Sequence, residues 1–541
     1  MKMKRFLLFL ILCLLLYVLH DQDFYSLLSL QKGRTNQLIY LRQGDCRTLD
    51  PARAQDSLSA GIILNIYEGL VKFKPGTTVV EPSLAGDWEV SKDGLKWTFK
   101  IRPGVAFHDG TSCNAAAVKF SVDRQLKENT NNTITYADLT YGMVESVEII
   151  DDLTVRFNLK FPYAPFLNNL AMPFSAPVVS PSAVKKYGAG FWRHPVGTGP
   201  FILKRWDQGR EVVLKANTSY WGKNPAITKI IFRVENEPGR RVRMLLTGKA
   251  DVVEGASTVD FSELTGKGMQ VHRATGMDIS YLGFYTDKRP FNDPEVRIAA
   301  CRSIDREELI KTLFANCATP ASGPLPPEIM ASRAGLKQYP YNSKQARRQL
   351  AAAGYPDGLK ITLLSYTNSR PYNPAGGEKL ALALAAQLKK AGFQTQVITY
   401  PWEEFKQALS RQEGDAFLYG WTSENGDPDN FLYTLFSSAQ IAGSLNSTRY
   451  HNQKVDTLLI TAQRTLDPVL RTRFYHDAQE QLLRDVPAVF INHSLSIIIT
   501  RPEVRDFVLQ PGGLSYLWTV RKTGLRNIQR IKVKKLAGTS A

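Results

Sequence analysis

Between residues 360 and 419 the chain alternates strand-like and helix-like segments so regularly that topology follows from it. Residues 360–365 (KITLLS), 394–399 (QTQVIT) and 415–419 (DAFLY) are short β-branched and aromatic runs. Residues 377–391 and 402–411 lie between them with apolar positions at helical spacing. A strand–helix–strand–helix–strand series connects its strands by crossovers, so the strands lie parallel. In open α/β sheets ligands collect at the carboxyl ends of such strands. Two loops leave those ends and share one edge of the sheet: residues 367–374 (TNSRPYNP) and 420–431 (GWTSENGDPDNF). The first offers Arg370 and Tyr372; the second offers Trp421, Glu424, Asp427 and Asp429. A guanidinium on one loop and carboxylates on its neighbour suit the two ends of a zwitterion. The same charges could instead close the loops on each other as an internal salt bridge. Trp421 and Tyr372 serve equally as core or as pocket wall.

The chain has 541 residues, too many for one core, since cores stop growing near ~250–300 residues. Two lobes follow, and the sequence shows two textures. From Gln37 to about Met277, strand-like runs such as residues 95–101, 154–159, 211–214 and 227–234 alternate with turns, with helices at 115–124 and 240–247. From about Asp278 longer helices take over. Asp293-Pro294 and Asp467-Pro468 read as helix starts, Asp305 with Glu308 as a capping box, and Gly354 and Gly392 as helix stops. The expected class is α/β.

Both ends carry charge. The formal net charge is +18. Lys2, Lys4 and Arg5 precede an apolar run over residues 6–19, and Arg521, Lys522, Arg526, Arg530, Lys532, Lys534 and Lys535 lie in a tail without acids. As a helix the apolar run spans about 21 Å, short of the ~30 Å hydrocarbon core. Residues 1–20 therefore read as an export signal or an uncleaved anchor, without a small-residue cleavage pair, and Leu12 before Cys13 argues against a lipoprotein site. The basic tail suits either an anionic membrane surface or plain solubility. Basic and aromatic residues do not interleave along the body, which argues against a nucleic-acid partner. Cys46, Cys113, Cys301 and Cys317 could form two bridges or remain buried thiols.

Enzyme chemistry is missing its signatures. The sequence has no GxxxxGK[ST], no HExxH and no GxSxG, and its seven histidines are scattered. Gly197-Thr198-Gly199-Pro200 lacks the third glycine of a dinucleotide fingerprint, and Phe431 stands where a calcium loop needs an oxygen ligand. A binding protein without cofactor or metal is the expectation.

Six segments in order make the chain familiar: LDPA (49–52), YEGLV (67–71), WEVSKDGLKWTFKIRPGVAFHDGT (88–111), PVGTGPF (195–201), RPYNP (370–374) and GWTSENGDPDNF (420–431). In these it resembles the extracytoplasmic solute-binding proteins of ABC transporters in the peptide/nickel family, over nearly everything after Gln37. The resemblance implies a two-lobed, hinged α/β fold with the first lobe interrupted by the second. Residues 37–277 would form lobe I with a subdomain at about 75–195, 278–494 the inserted lobe II, and 495–541 the return to lobe I. It further implies a short peptide ligand and ABC permease subunits as partners, in the periplasm or on the outer face of the cytoplasmic membrane. Another solute (an oligopeptide, a nickel chelate, haem) or a membrane-tethered interaction protein is the alternative. By the same resemblance Glu424 takes the peptide ammonium where dipeptide binders carry aspartate, and Arg370 and Tyr372 stand near the carboxylate; Trp421 and Tyr372 are expected to pack the ligand, and Asp427 is expected among the ligand-binding residues. Where relatives carry a disulfide behind that loop, this chain has Ser438 and His451, which implies a looser loop.

Overall fold

The 13-residue strand Ala488–Thr500 (AVFINHSLSIIIT) is rich in β-branched residues and buried towards both ends, as a central strand requires. Its first half pairs antiparallel with Asp278–Phe284, and its second half with Gln270–Thr275 and Val252–Glu254. The computed structural model describes residues 36–523 apart from 129–135, 256–260, 316 and 333–334. The N-terminal apolar run and the tail beyond residue 523 lie outside the described residues. No helix among the described residues is long and apolar enough to cross a membrane.

One 12-stranded sheet runs through both lobes, with Ala488–Thr500 shared between them. On one side Phe393–Tyr400, Leu359–Tyr366 and Ala416–Thr422 run parallel, Leu359–Tyr366 in the middle. The alternation read from the sequence thus gives the parallel sheet it implied. The third strand reaches further than its sequence suggests: Asp278–Phe284 pairs with it as far as Thr422, which draws Trp421 out of the loop and into the sheet. On the other side Gln37–Arg42 runs parallel to Lys229–Val234 and Val252–Glu254, followed outward by Glu211–Ala216 and Phe201–Asp207.

The apolar cores divide accordingly. One cluster contains only residues between Met277 and Ile491, a second joins residues 38–252 to residues 498–520, and a smaller one links Leu41 and Leu245 to Ile499. A further cluster fills the space under the four-stranded sheet Ala85–Val90, Lys96–Ile101, Thr154–Leu159 and Val144–Asp151, with Val118 and Val122 of the helix Ala115–Glu128 packed into it. Asp293, Asp305 and Asp467 each cap a helix through the side chain. The four body cysteines are free thiols.

Three of the six segments that carry the resemblance meet in one knot in lobe I. Glu68 accepts from Tyr220 Oη at 2.7 Å, Trp221 Nε1 at 2.7 Å and Thr198 Oγ1 at 2.8 Å, and burial raises its pKa. Gly199 donates its N–H to Ile66 O at 2.9 Å, and His108 donates to Gly197 O at 2.9 Å. A Cβ at Gly197 or Gly199 would overlap the Ile66–Tyr67 backbone, so YEGLV and PVGTGPF are complementary surfaces. Gly199→Ala should therefore destabilise the protein by roughly 1–3 kcal/mol through overpacking against rigid backbone, read as a lower urea midpoint.

Candidate functional site

Between the lobes lies a cleft of about 940 Å³, within the range of small-ligand sites. Arg370 and Glu424 line it from lobe II, Tyr136, Arg42 and Arg47 from lobe I, and Asp278 from the crossing between them.

Arg370 is held at the tip of a tight turn. Its N–H donates to Asn373 O at 3.1 Å and its carbonyl accepts from Asn373 N at 2.9 Å. The turn is anchored by Asn492, whose Nδ2 donates to Tyr372 O at 3.0 Å, and by Asn373 Nδ2 donating to Tyr366 Oη at 3.0 Å. Tyr372 is buried, and a Cβ at Gly420 would overlap its ring. The structure thus makes Tyr372 a brace under the loop rather than a wall of the cleft. The guanidinium stacks on Trp402, with Cζ 3.5 Å from the ring centroid; Trp402 in turn stacks on Tyr419 at 5.9 Å. This platform fixes the cation's plane. Arg370 has no carboxylate partner among the described residues, and its Nε is buried without an acceptor.

The second loop presents its acids in different directions. Glu424 faces the cleft, where Tyr136 Oη donates to its Oε1 at 3.3 Å across the lobes. Burial raises its pKa to about 7, opposed by that hydrogen bond. Asp427 points the other way. It is 1% exposed and forms a two-pronged ion pair with Arg471, Oδ1 to Nη2 at 2.7 Å and Oδ2 to Nη1 at 2.8 Å. The sequence-based role of Asp427 as a ligand group gives way to a structural one, because its carboxylate is already saturated. Asp429 lies beside it, bound by Gln463 Nε2 at 3.1 Å and Tyr163 Oη at 3.3 Å, with its pKa raised by burial to about 7. Trp421 is half-buried and donates Nε1 to Asn430 Oδ1 at 3.0 Å, tying the strand end to the helix Asp429–Phe436.

Lobe I grips the same loop. Asn425 Nδ2 donates to Asn169 Oδ1 at 2.7 Å, and Asn168 Nδ2 donates to Asn425 O at 3.0 Å. Behind it, Ser438 is no loose end: its N–H and Oγ donate to Asp456 at 2.8 and 2.7 Å. Hydrogen bonds thus tie down the segment that was expected to be looser. At the crossing, Ser494 N donates to Asp278 Oδ1 at 2.8 Å, and Ser494 Oγ bonds the other carboxylate oxygen. Burial raises the Asp278 pKa to about 6. Among the described residues no cluster of three or more His, Cys, Asp or Glu side chains could hold a metal ion.

Sequence reasoning missed Trp402, Tyr136 and Arg47. Trp402 had a signal, since it follows Phe393–Tyr400 and so sits on the same carboxyl edge as the two loops. Tyr136 and Arg47 come from the other lobe with no motif to mark them.

A two-lobed α/β body with a polar cleft at the crossing defines the class of binding proteins that enclose a ligand between lobes. Within it, this chain belongs to the bacterial extracellular solute-binding proteins, family 5: that family's model (Middle) matches residues 79–443. It is 32% identical over 467 residues to the dipeptide-binding protein of Escherichia coli, covering 83% of this chain and 87% of that one. The solved structure of HbpA2 from Haemophilus parasuis superposes with a TM-score of 0.85 at 30% identity, over 90% of this chain and all of that one. The periplasmic binding protein DppA from Helicobacter pylori, in complex with peptide STSA, gives 0.73 at 31% identity, over 90% and 98%.

The Asp427–Arg471 pair sets the direction of the Glu424 loop. Arg471→Ala should cost about 3–5 kcal/mol by stranding a buried carboxylate, measured by chemical denaturation. Joint replacement of Asp427 by Asn and Arg471 by Met should recover part of that loss.

Proposed function

We propose that this protein captures short peptides outside the cytoplasmic membrane and delivers them to the permease of an ABC importer. The carrying observation is that, among the described residues, Glu424 lines the cleft without a cation partner and Arg370 lines it without a carboxylate partner. The ammonium of a peptide satisfies the first and its terminal carboxylate the second, by charge-assisted hydrogen bonds in a site that closes to exclude water. The similar proteins support the reading, among them a dipeptide-binding protein and a binding protein in complex with a peptide. The basic and apolar residues 1–20 direct the chain to the outer side of that membrane, as a signal or as an anchor.

The mechanism is closure of the two lobes. A ligand held by Arg370 on lobe II and reached by lobe I contacts makes more interactions in the closed state, and this difference in affinity drives the shift. The Asp427–Arg471 pair and the Asn373 turn hold both charged groups in place beforehand, which lowers the ordering cost of binding. Side-chain selectivity is broad where backbone and termini carry the energy.

The pH dependence has a definite sign. With its pKa raised by burial to about 7, Glu424 is largely protonated below that pH, whereas an ammonium partner requires the ionised form. Binding therefore releases a proton, and affinity should rise as pH increases from about 5.5 to 7.5, levelling as the peptide amine itself deprotonates near ~8. Glu424→Gln should weaken dipeptide binding by roughly 2–5 kcal/mol and flatten this profile in calorimetry. An unchanged affinity and an unchanged profile in that variant would contradict the assignment.

A further inference from the structure

Beside Glu424 the cleft has a small side chamber. It holds about 30 Å³, against about 940 Å³ for the cleft itself. Met277, Glu424, Gly512 and Leu514 line both spaces, so the chamber adjoins the cleft with Glu424 at the boundary. Leu64, Phe73, Pro173 and Tyr516 of lobe I enclose the rest of it. Room of this size takes roughly one or two water molecules, or one small alkyl group.

Glu424 is the one charged group on the chamber wall among the described residues. The threonine and glutamine side chains there are engaged by the protein. Thr77 Oγ1 donates to Lys74 O at 3.0 Å, and Thr78 Oγ1 donates to Glu328 O at 3.2 Å. Gln510 accepts from the N–H of Gly76 through its side-chain oxygen. Met277 sets the size. Its carbonyl accepts from Ser423 N at 2.7 Å, and its side chain lies over two glycines. A Cβ at Gly426 would stand 3.2 Å from its Sδ, and one at Gly512 would stand 3.0 Å from its Cε. The thioether therefore packs closely where its neighbours carry no side chain.

We propose that this chamber takes the side chain of the peptide's first residue and restricts it to a small apolar one, alanine above all. The proposal rests on the assignment of the peptide ammonium to Glu424 and adds a selectivity to it. The first side chain branches from the carbon that bears the ammonium, so a peptide anchored at Glu424 begins that side chain at the chamber mouth. The rest of the peptide runs towards Arg370 through the wider space. A methyl group gains by leaving water for apolar walls. A larger group has to displace packed side chains, and a charged one loses its water without gaining a partner. Selectivity that termini and backbone leave broad is thus narrowed at one position.

The test is calorimetry of the ligand-stripped full chain with Gly-Ala, Ala-Ala, Leu-Ala and Ala-Leu. The last two share composition and charge, so a difference between them is positional. Ala-Leu should bind about tenfold or more tightly than Leu-Ala, and Ala-Ala about fourfold more tightly than Gly-Ala. Met277→Ala should shrink the ratio of Ala-Leu to Leu-Ala by enlarging the chamber. Leu514→Ala, which keeps the bond from Gln510 N to its own carbonyl at 2.9 Å, should do the same and serves if Met277→Ala does not fold. Equal affinities of Ala-Leu and Leu-Ala in the wild type, or a preference for Leu-Ala, overturn the inference and leave the two-ended clamp standing. A ratio unchanged in both variants overturns the chamber as its source. Failure of all four peptides to bind overturns the peptide reading itself, and the inference with it.

Discussion

One strand belongs to both lobes, and the site depends on that. Ala488–Thr500 closes the sheet of lobe II with its first half and that of lobe I with its second, so the lobes share a covalent and hydrogen-bonded spine. The other crossing, from Gln270–Thr275 into Asp278–Phe284, runs beside it: Gly276 N donates to Ser494 O at 2.8 Å. A Cβ at Gly276 would overlap Asp278 and Ser494. Two strands side by side allow rotation of the lobes about a short axis while resisting sliding, which suits closure onto a ligand.

Around that axis the polar groups fall into two kinds. Most are saturated by the protein, among them Asp427 with Arg471, Glu254 with Arg42 and Asp456 with Ser438. These fix loops in place. A few are left with incomplete partners in the cleft, and such groups are costly unless a ligand completes them. The contrast between Asp427 and Glu424 makes the point: three residues apart on one loop, one anchors the loop and the other is presented by it.

Much of the architecture was legible because local signals and topology agreed. The parallel strands of lobe II announce themselves by β-branched runs separated by capped helices, and the rule of carboxyl ends then gathers Arg370 and Glu424 onto one edge. Which acid of the sequence ENGDPD would face the cleft was not legible from the local pattern, and only the family resemblance singled out Glu424. That choice is made by Arg471, 44 residues along the chain, and by the Asn168–Asn169 grip from the other lobe. Tyr372 turned inward because Gly420 leaves room for its ring, a tertiary fact without a local signature. Arg47 and Tyr136 reach the cleft only through the meeting of lobes.

The central claim is a clamp on both charged ends of a short peptide. Its most direct measurement is a calorimetric titration of ligand-stripped protein with a free dipeptide, then with the same dipeptide acetylated at its amine or amidated at its carboxylate. The account predicts tight binding of the free form and a strong loss on blocking either end, since each block leaves a charge in the closed cleft without its partner. Equal affinity for free and blocked forms would contradict it.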